Sequence, residues 1–407
     1  AEPAARAEHN MEWKEGSVML FDEANDMLAG KIIPFWKSLH DSENGGYFGQ
    51  VDFNLSINRQ AEKSSILNSR ILWFFSTAAV LLKRSDLAQE AAHAYAFLKN
   101  AFWDREFGGL YRTVLPDGKV LDDSKDTRSL ASAVYALSAY YQLTSDPEAL
   151  GLAGGICRLM ETRCAAAGGF LDTFDRSFHP IRDGISGRDG CPAENSLNTL
   201  LYVFEAYCGL YRAARDPGAA KSMKRILRVF LDNVYHPADK KPEIPDSCGF
   251  DIEASWLLDR GCGLLGEKGL SRKVSTLTSR LAARVYREAY RGHSVGSVYK
   301  PGNEMRVGWV QAEAVVGFLN AYQKKPGHPE YLHAAVDVWN YIKTYLADPR
   351  PGSEWFWQVD GGGHPDSGKL IAGPSKCPCH NGRMCFEILR REAGVRAASS
   401  RVRIQKT

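Results

Sequence analysis

Gly45-Gly46-Tyr47-Phe48, Gly108-Gly109-Leu110-Tyr111 and Gly168-Gly169-Phe170-Leu171 recur in register, about 60 residues apart. Self-similarity at a fixed period marks a repeat architecture, in which each copy is one supersecondary unit. A Gly-Gly pair lets the chain turn through φ > 0, and the apolar residues behind it supply something to pack. Between successive copies lie two amphipathic stretches of helical length.

Periodicity, caps and breakers predict twelve helices, near 17–39, 63–84, 86–103, 125–143, 147–164, 194–214, 217–235, 249–267, 270–289, 309–323, 329–347 and 379–392. Asp146-Pro147 and Asp216-Pro217 each set a capping carboxylate before a proline at the first helical position, and Ser85-Asp86 is a further cap signal. Residues 46–52 and 109–114 read as small strands flanking turns. Six antiparallel helix pairs predict an all-α fold, a closed (α/α)6 barrel. An open solenoid wants polar capping repeats at both ends. Here Phe35-Trp36 in the first helix and Met384, Phe386 and Ile388 in the last are as apolar as the middle ones. In a closed barrel the inner helices converge on a pit walled by long loops, and function is expected there. The expected organisation is a tail at 1–10, one barrel domain over 11–393 and a basic tail at 394–407.

The 407 residues are 44% hydrophobic and 24% charged, ordinary values for a globular protein. A net charge of +3 is too mild to argue for nucleic acid or a membrane surface. No apolar run approaches the ~18–20 residues that span a bilayer. No basic segment followed by an apolar core opens the chain. The odd count of nine cysteines favours free thiols in a reducing compartment. These features predict a cytoplasmic monomer or weak homodimer with neither a nucleic-acid nor a membrane partner and no cofactor. Cys377, Cys379, His380 and Cys385 invite a zinc reading, but C-x-C is tighter than the usual ligand spacing and no second cluster completes a site. No metal is expected.

Several polar residues interrupt apolar helices. Asn68 and Arg70 sit in Leu67-Asn68-Ser69-Arg70-Ile71-Leu72-Trp73. A buried guanidinium without a partner is costly, so Arg70 either pairs with a carboxylate or faces a wet cavity. Glu253 and Trp256 are three apart, and Trp309 and Glu313 four apart, so each pair shares a helical face. An indole stacks on the C–H face of a sugar while a carboxylate takes hydroxyl protons, which makes a carbohydrate the expected partner. His380, at a loop-to-helix junction between Pro378 and Gly382, is the candidate general base. The other histidines, His93 and His333 among them, read as surface residues.

Four segments then stand together: LNSRILWFFS at 67–76, CGFDIEASWLL at 248–258, VQAEAVVGFLNAY at 310–322 and KCPCHNGRMCFEI at 376–388. In this order and spacing they resemble the N-acylglucosamine 2-epimerase superfamily, and within it the cellobiose (mannobiose) 2-epimerase branch. The resemblance covers about Met11 to Arg391 and implies an (α/α)6 barrel. It implies that the site comprises Arg70, Asn198, Glu253, Trp256, Trp309, Glu313 and His380. It also implies departures. Phe250 stands where a histidine is expected, Leu200 and Tyr202 replace two more, Gly308 and Ser375 replace tryptophans, and Cys379 and Arg128 replace tyrosines.

The implied reaction opens a reducing sugar, removes the C2 proton to give an enediolate and returns a proton to the other face. The histidine missing at 250 is one of its two implied bases, which predicts impaired 2-epimerisation, since a general base contributes about 10²–10⁴-fold. Aldose–ketose isomerisation needs one base, with Arg70 at the oxyanion. A sugar-binding pseudoenzyme is the second reading. Glycoside cleavage by Asp251, Glu253 or Glu313 is the third. The lost indoles predict weak binding of neutral β-1,4-disaccharides, and Arg128 offers a partner for an acidic or phosphorylated sugar.

Overall fold

The computed structural model describes residues 19–166, 168–181, 197–234, 248–292, 296–299, 302 and 304–404. The expected tail at 1–10 and the first residues of the helices predicted from 17 and 194 lie outside them. Twelve helices are present among the described residues. In chain order they are α1 (19–38, with a π turn at Leu28–Ile32), α2 (Ser65–Leu82), α3 (Ser85–Phe97), α4 (Thr127–Thr144), α5 (Pro147–Leu159) and α6 (Leu197–Ala214). Then follow α7 (Pro217–Val229), α8 (Cys248–Leu265), α9 (Lys268–Glu288), α10 (Gly308–Lys324), α11 (Glu330–Tyr341) and α12 (His380–Ile404).

The even-numbered helices form the inner ring. Each packs on the next, α2 on α4, α4 on α6, α6 on α8, α8 on α10 and α10 on α12, and α12 returns to α2. At the closing seam Phe386 of α12 meets Trp73 and Phe74 of α2, ring centroids 5.6 Å apart in both pairs. The odd-numbered helices pack outside their partners. The result is the closed (α/α)6 barrel, an all-α fold with short two-residue and three-residue strands in the loops.

Burial explains the ring. An inner helix has neighbours on both sides and behind, so α2 is buried from Ser65 through Ala79 except at Ile66. By length and composition Ser65–Leu82 could also cross a membrane, contrary to the absence of such a run expected from sequence. Its apolar surface is instead covered by α3, α4 and α12. Glycines let the inner helices approach. A Cβ at Gly317 of α10 would lie 2.5 Å from Ile252 Cγ1 and 3.0 Å from the Ile252 carbonyl oxygen of α8, and one at Gly382 would lie 2.7 Å from the Phe74 ring. Gly317→Ala is therefore expected to lower stability by about 1–3 kcal/mol through overpacking. Urea unfolding measures this, and an unchanged midpoint would contradict the packing argument.

The loops carry the repeat. Gly45, Gly46, Gly108 and Gly109 all have positive φ, between 66° and 83°. In the first two copies an aspartate four residues ahead anchors the turn. Asp41 receives the Lys63 ammonium at 2.7 Å and Asp104 receives that of Lys125 at 2.8 Å, all four side chains being buried. Both lysines lie just before an inner helix, so each ion pair ties a Gly-Gly loop to the entry of α2 or α4. The third copy has Cys164 at the aspartate position. A wide π turn closes α3, α5, α7 and α11, at Leu98–Phe102, Met160–Cys164, Phe230–Val234 and Ile342–Leu346. The repeat thus persists in backbone shape where the glycine pair has been lost.

Asp126, Asp146 and Asp216 cap α4, α5 and α7 through their side chains. Ser85-Asp86 does not cap α3: Arg84 holds the cap position, and Asp86 pairs with Arg84 and Lys37. Helix α12 runs on past 393, the expected start of a basic tail, to Ile404. Val395 is buried there and Arg396 stacks over Phe21 of α1, 5.5 Å from its centroid. His93 is not a surface residue. It is half-buried, stacks on His40 with centroids 3.7 Å apart and binds the Gly46 carbonyl at 2.9 Å. The eight cysteines among the described residues are free thiols.

Candidate active site

The first turns of all six inner helices face one cavity of about 500 Å³. Arg70, Arg128, Asn198, Glu253, Trp309 and His380 all line it, so six of the eight residues singled out from sequence meet there. Phe250, Tyr202 and Trp357 line it too. Because each inner helix presents its N-terminus to the cavity, six positive dipole ends converge on it.

Trp256 and Glu313 are the two that do not reach the cavity. Trp256 is fully buried, and its indole Nε1 donates to Glu313 Oε2 at 2.9 Å. Expected as a sugar platform, Trp256 instead fixes a carboxylate, because residue 256 lies one turn deeper on α8 than the cavity floor. Glu313 lies directly beneath His380, with Oε1 2.8 Å from His380 Nδ1. A proton on Nδ1 directed at this carboxylate leaves Nε2 with its lone pair. Trp309 packs on the imidazole at a centroid distance of 5.3 Å, and Phe250 packs on Trp309 at the same distance.

Arg383, one turn below His380, organises the floor. It donates to Glu205 Oε1 at 2.5 Å and to Glu313 Oε1 at 2.6 Å, and it also bonds Glu253. The guanidinium lies over the Trp256 ring, 5.2 Å from its centroid. Burial works against its charge, but Glu205, Glu313 and Glu253 together hold its pKa well above the ordinary value. Burial also pushes the carboxyls of Glu253 and Glu313 up, against the opposing pull of Arg383. His380 goes the other way. Burial, then the Arg383 charge, lowers its pKa to about 4, so the imidazole is neutral at pH 7.

Ligand atoms of Glu253, Glu313 and His380 fall within 4.8 Å of one another, a spacing that could hold a metal ion. The Arg383 guanidinium already bonds both carboxylates and comes within 3.3 Å of His380 Nδ1. The positive charge of this cluster is therefore supplied by an arginine, and the donor set does not fit a cation.

Arg70 pairs with neither carboxylate nor bulk water alone. It donates to Cys377 Sγ at 3.2 Å and to the Tyr202 hydroxyl oxygen, and lies over the Tyr202 ring, 5.0 Å from its centroid. Against burial, the hydrogen bond with Cys379 and then the Arg70 charge hold the Cys377 thiol well below the usual range. Arg128 Nε lies 4.0 Å from Asp126, and the half-buried carboxyl of Asp172 also feels its charge. Two acids thus offset the cation expected to attract an acidic sugar. Asp251 leaves the carboxylate set as well, turned outward in an ion pair with Arg284 of α9.

A sequence profile for N-acylglucosamine 2-epimerase (GlcNAc 2-epimerase) matches residues 46–241 and 249–377. The chain belongs to the N-acylglucosamine 2-epimerase family. A cellobiose 2-epimerase of Ruminococcus albus is 38% identical over 387 residues, which span 92% of this chain and 99% of that protein. One of Dictyoglomus turgidum is 37% identical over 386 residues, with the same shares. The structure of a cellobiose 2-epimerase from Bacillus thermoamylovorans superposes with a TM-score of 0.86 at 35% identity, covering 92% of this chain and 99% of that one.

In this family member, sequence reasoning missed Arg383, Glu205 and Trp357. Arg383 carried a signal, since it lies three residues after His380 on the same helical face. Glu205 sits likewise three after Tyr202, and Trp357 belongs to the aromatic run Trp355-Phe356-Trp357 in the loop before α12.

Proposed function

We propose that this chain is a carbohydrate epimerase or isomerase that takes the C2 proton of an opened reducing sugar onto Nε2 of His380. The observation that carries this reading is the 2.8 Å contact between His380 Nδ1 and the buried Glu313, which orients a neutral imidazole at the cavity floor. Proton abstraction leaves an enediolate. Arg70 and the converging helix N-termini are arranged to hold its negative charge, as preorganised donors do in a water-poor site. Phe250, Trp309 and Trp357 offer apolar ring surface to the sugar C–H faces. Relatives named cellobiose 2-epimerases support a reducing disaccharide as the substrate class.

NMR in D2O with cellobiose, mannobiose, glucose and mannose tests the reading. Deuterium at C2 with inversion identifies the epimerase, and label at C1 of a ketose identifies the isomerase. No wash-in with any sugar would overturn the proposal and leave a sugar-binding protein on the same barrel.

The pH profile follows from the depressed pKa of His380. The base is competent only when neutral, so the rate is complete above the folded-state value and lost as pH falls through it. The acid limb of kcat/KM is therefore expected near pH 4, where burial and Arg383 place the imidazole. An unperturbed histidine would put it near about 6.5. A limb at the ordinary value would show that the imidazole is not the half-buried, arginine-flanked group seen here.

A further inference from the structure

We infer that the Tyr202 hydroxyl is the second proton-transfer group of this site, serving the sugar face opposite His380. The inference rests on the enediolate reading above and supplies what that reading lacks. Unless the intermediate rotates in front of it, one base returns a proton on the side from which it took it. Inversion at C2 without that rotation therefore needs a donor on the other side. Phe250 cannot be that donor at any pH.

The barrel places Tyr202 across from His380. In a closed ring of six inner helices, α6 lies three positions from α12, which is the diametrically opposite place. The two helices reach each other at the floor through the Arg383–Glu205 bond of 2.5 Å. Tyr202 precedes Glu205 by three residues and His380 precedes Arg383 by three. Both are thus about one turn, or ~4.5 Å, nearer the mouth on the same helical faces. A lower rung of two charged side chains therefore carries above it a rung whose ends are an imidazole and a phenol. Both line the 500 Å³ cavity, and both line the small closed space of about 20 Å³ below it.

Arg70 prepares the phenol. It donates to the Tyr202 oxygen, so the oxygen accepts there and its O–H hydrogen remains available for another acceptor. Burial pushes the Tyr202 phenol up, so it stays protonated and able to donate. When the hydrogen leaves, the Arg70 guanidinium bonded to the oxygen offsets part of the cost of the tyrosinate. Nε2 of His380 takes the C2 proton and the C–H electron pair enters the enediolate. The enediolate carbon then forms a C–H bond with the phenolic proton, and the O–H pair stays on Tyr202. Imidazolium and tyrosinate reset by passing one proton through water, for which the small closed space has room for about one molecule.

Tyr202→Phe separates exchange from inversion. In D2O it is expected to keep C2 hydrogen exchange within about 10-fold of the native rate, because His380 still removes and returns the proton on its own face. Inversion is expected to fall by about 10²-fold or more. Tyr202→His, which restores a proton-bearing ring, is expected to keep inversion. The inference is overturned if Tyr202→Phe inverts C2 at the native rate. It is equally overturned if exchange and inversion fall together and Tyr202→His does no better, the signature of a merely structural role. A native enzyme that exchanges no C2 hydrogen would fell the enediolate reading itself, a result distinguishable from both.

Discussion

His380→Asn is expected to lower C2 hydrogen exchange by about 10²–10⁴-fold, the range a positioned general base contributes. Asparagine keeps a short side chain able to donate to Glu313, so the floor beneath it stays hydrogen-bonded while the basic nitrogen is removed. His380 side-chain exposure is 20%, against 1% for Glu313, which places the change at the edge of the cavity rather than in the packed core. Thermal unfolding should therefore move little. The loss should appear in kcat and in kcat/KM alike, because the proton transfer belongs to the transition state and not to sugar binding. A variant that exchanges C2 hydrogen at the native rate would remove His380 from the mechanism. A variant with unchanged kcat and a raised KM would reduce it to a sugar contact.

Arg383→Met carries the largest expected loss of stability. One guanidinium holds Glu205, Glu253 and Glu313 at the floor of the barrel, with a side chain 1% exposed. Removing one partner of a buried ion pair leaves an uncompensated charge and costs about 3–5 kcal/mol. Much of that comes from the carboxylates left behind, whose pKa values burial already raises for Glu253 and Glu313. Adding Glu253→Gln and Glu313→Gln to Arg383→Met should therefore recover part of the loss. A recovery of this kind is a coupling free energy, which independent sites do not show. Urea unfolding of the single, double and combined variants measures it. Strict additivity would mean that Arg383, Glu253 and Glu313 do not act as one cluster.

Part of this architecture was legible without coordinates because its signals are local. The Gly-Gly spacing, the Asp-Pro caps at 146 and 216 and the 3.6-residue period each depend on residues within a few turns of one another. They were enough for twelve helices in six pairs, and the apolar first and last helices argued for closure of the ring. Ser85-Asp86 misled because Lys37, from another helix, competes for the Asp86 carboxylate. The reach of α12 past 393 was hidden for a similar reason. A basic, serine-containing segment reads as a frayed end until α1 supplies Phe21 for Arg396, with the neighbouring Val395 buried.

The site divides along the same line. The resemblance to the family grouped Arg70, Asn198, Glu253, Trp309 and His380 in one site, and the structure sets each near the mouth end of an inner helix. The sequence also marked Phe250 as a position unable to move a proton. It could not tell that Trp256 serves Glu313 instead of a sugar, since a shared helical face does not say how deep in the barrel that face lies. Only the tertiary structure decided that Arg383 is the common partner of three acids from three helices, and that Tyr202 lies across the pit from His380 with Arg70 on its oxygen. Those pairings join residues 70 to 178 positions apart. Side-chain period fixes a residue's face on its own helix, but the order of six helices around a closed ring fixes which faces meet.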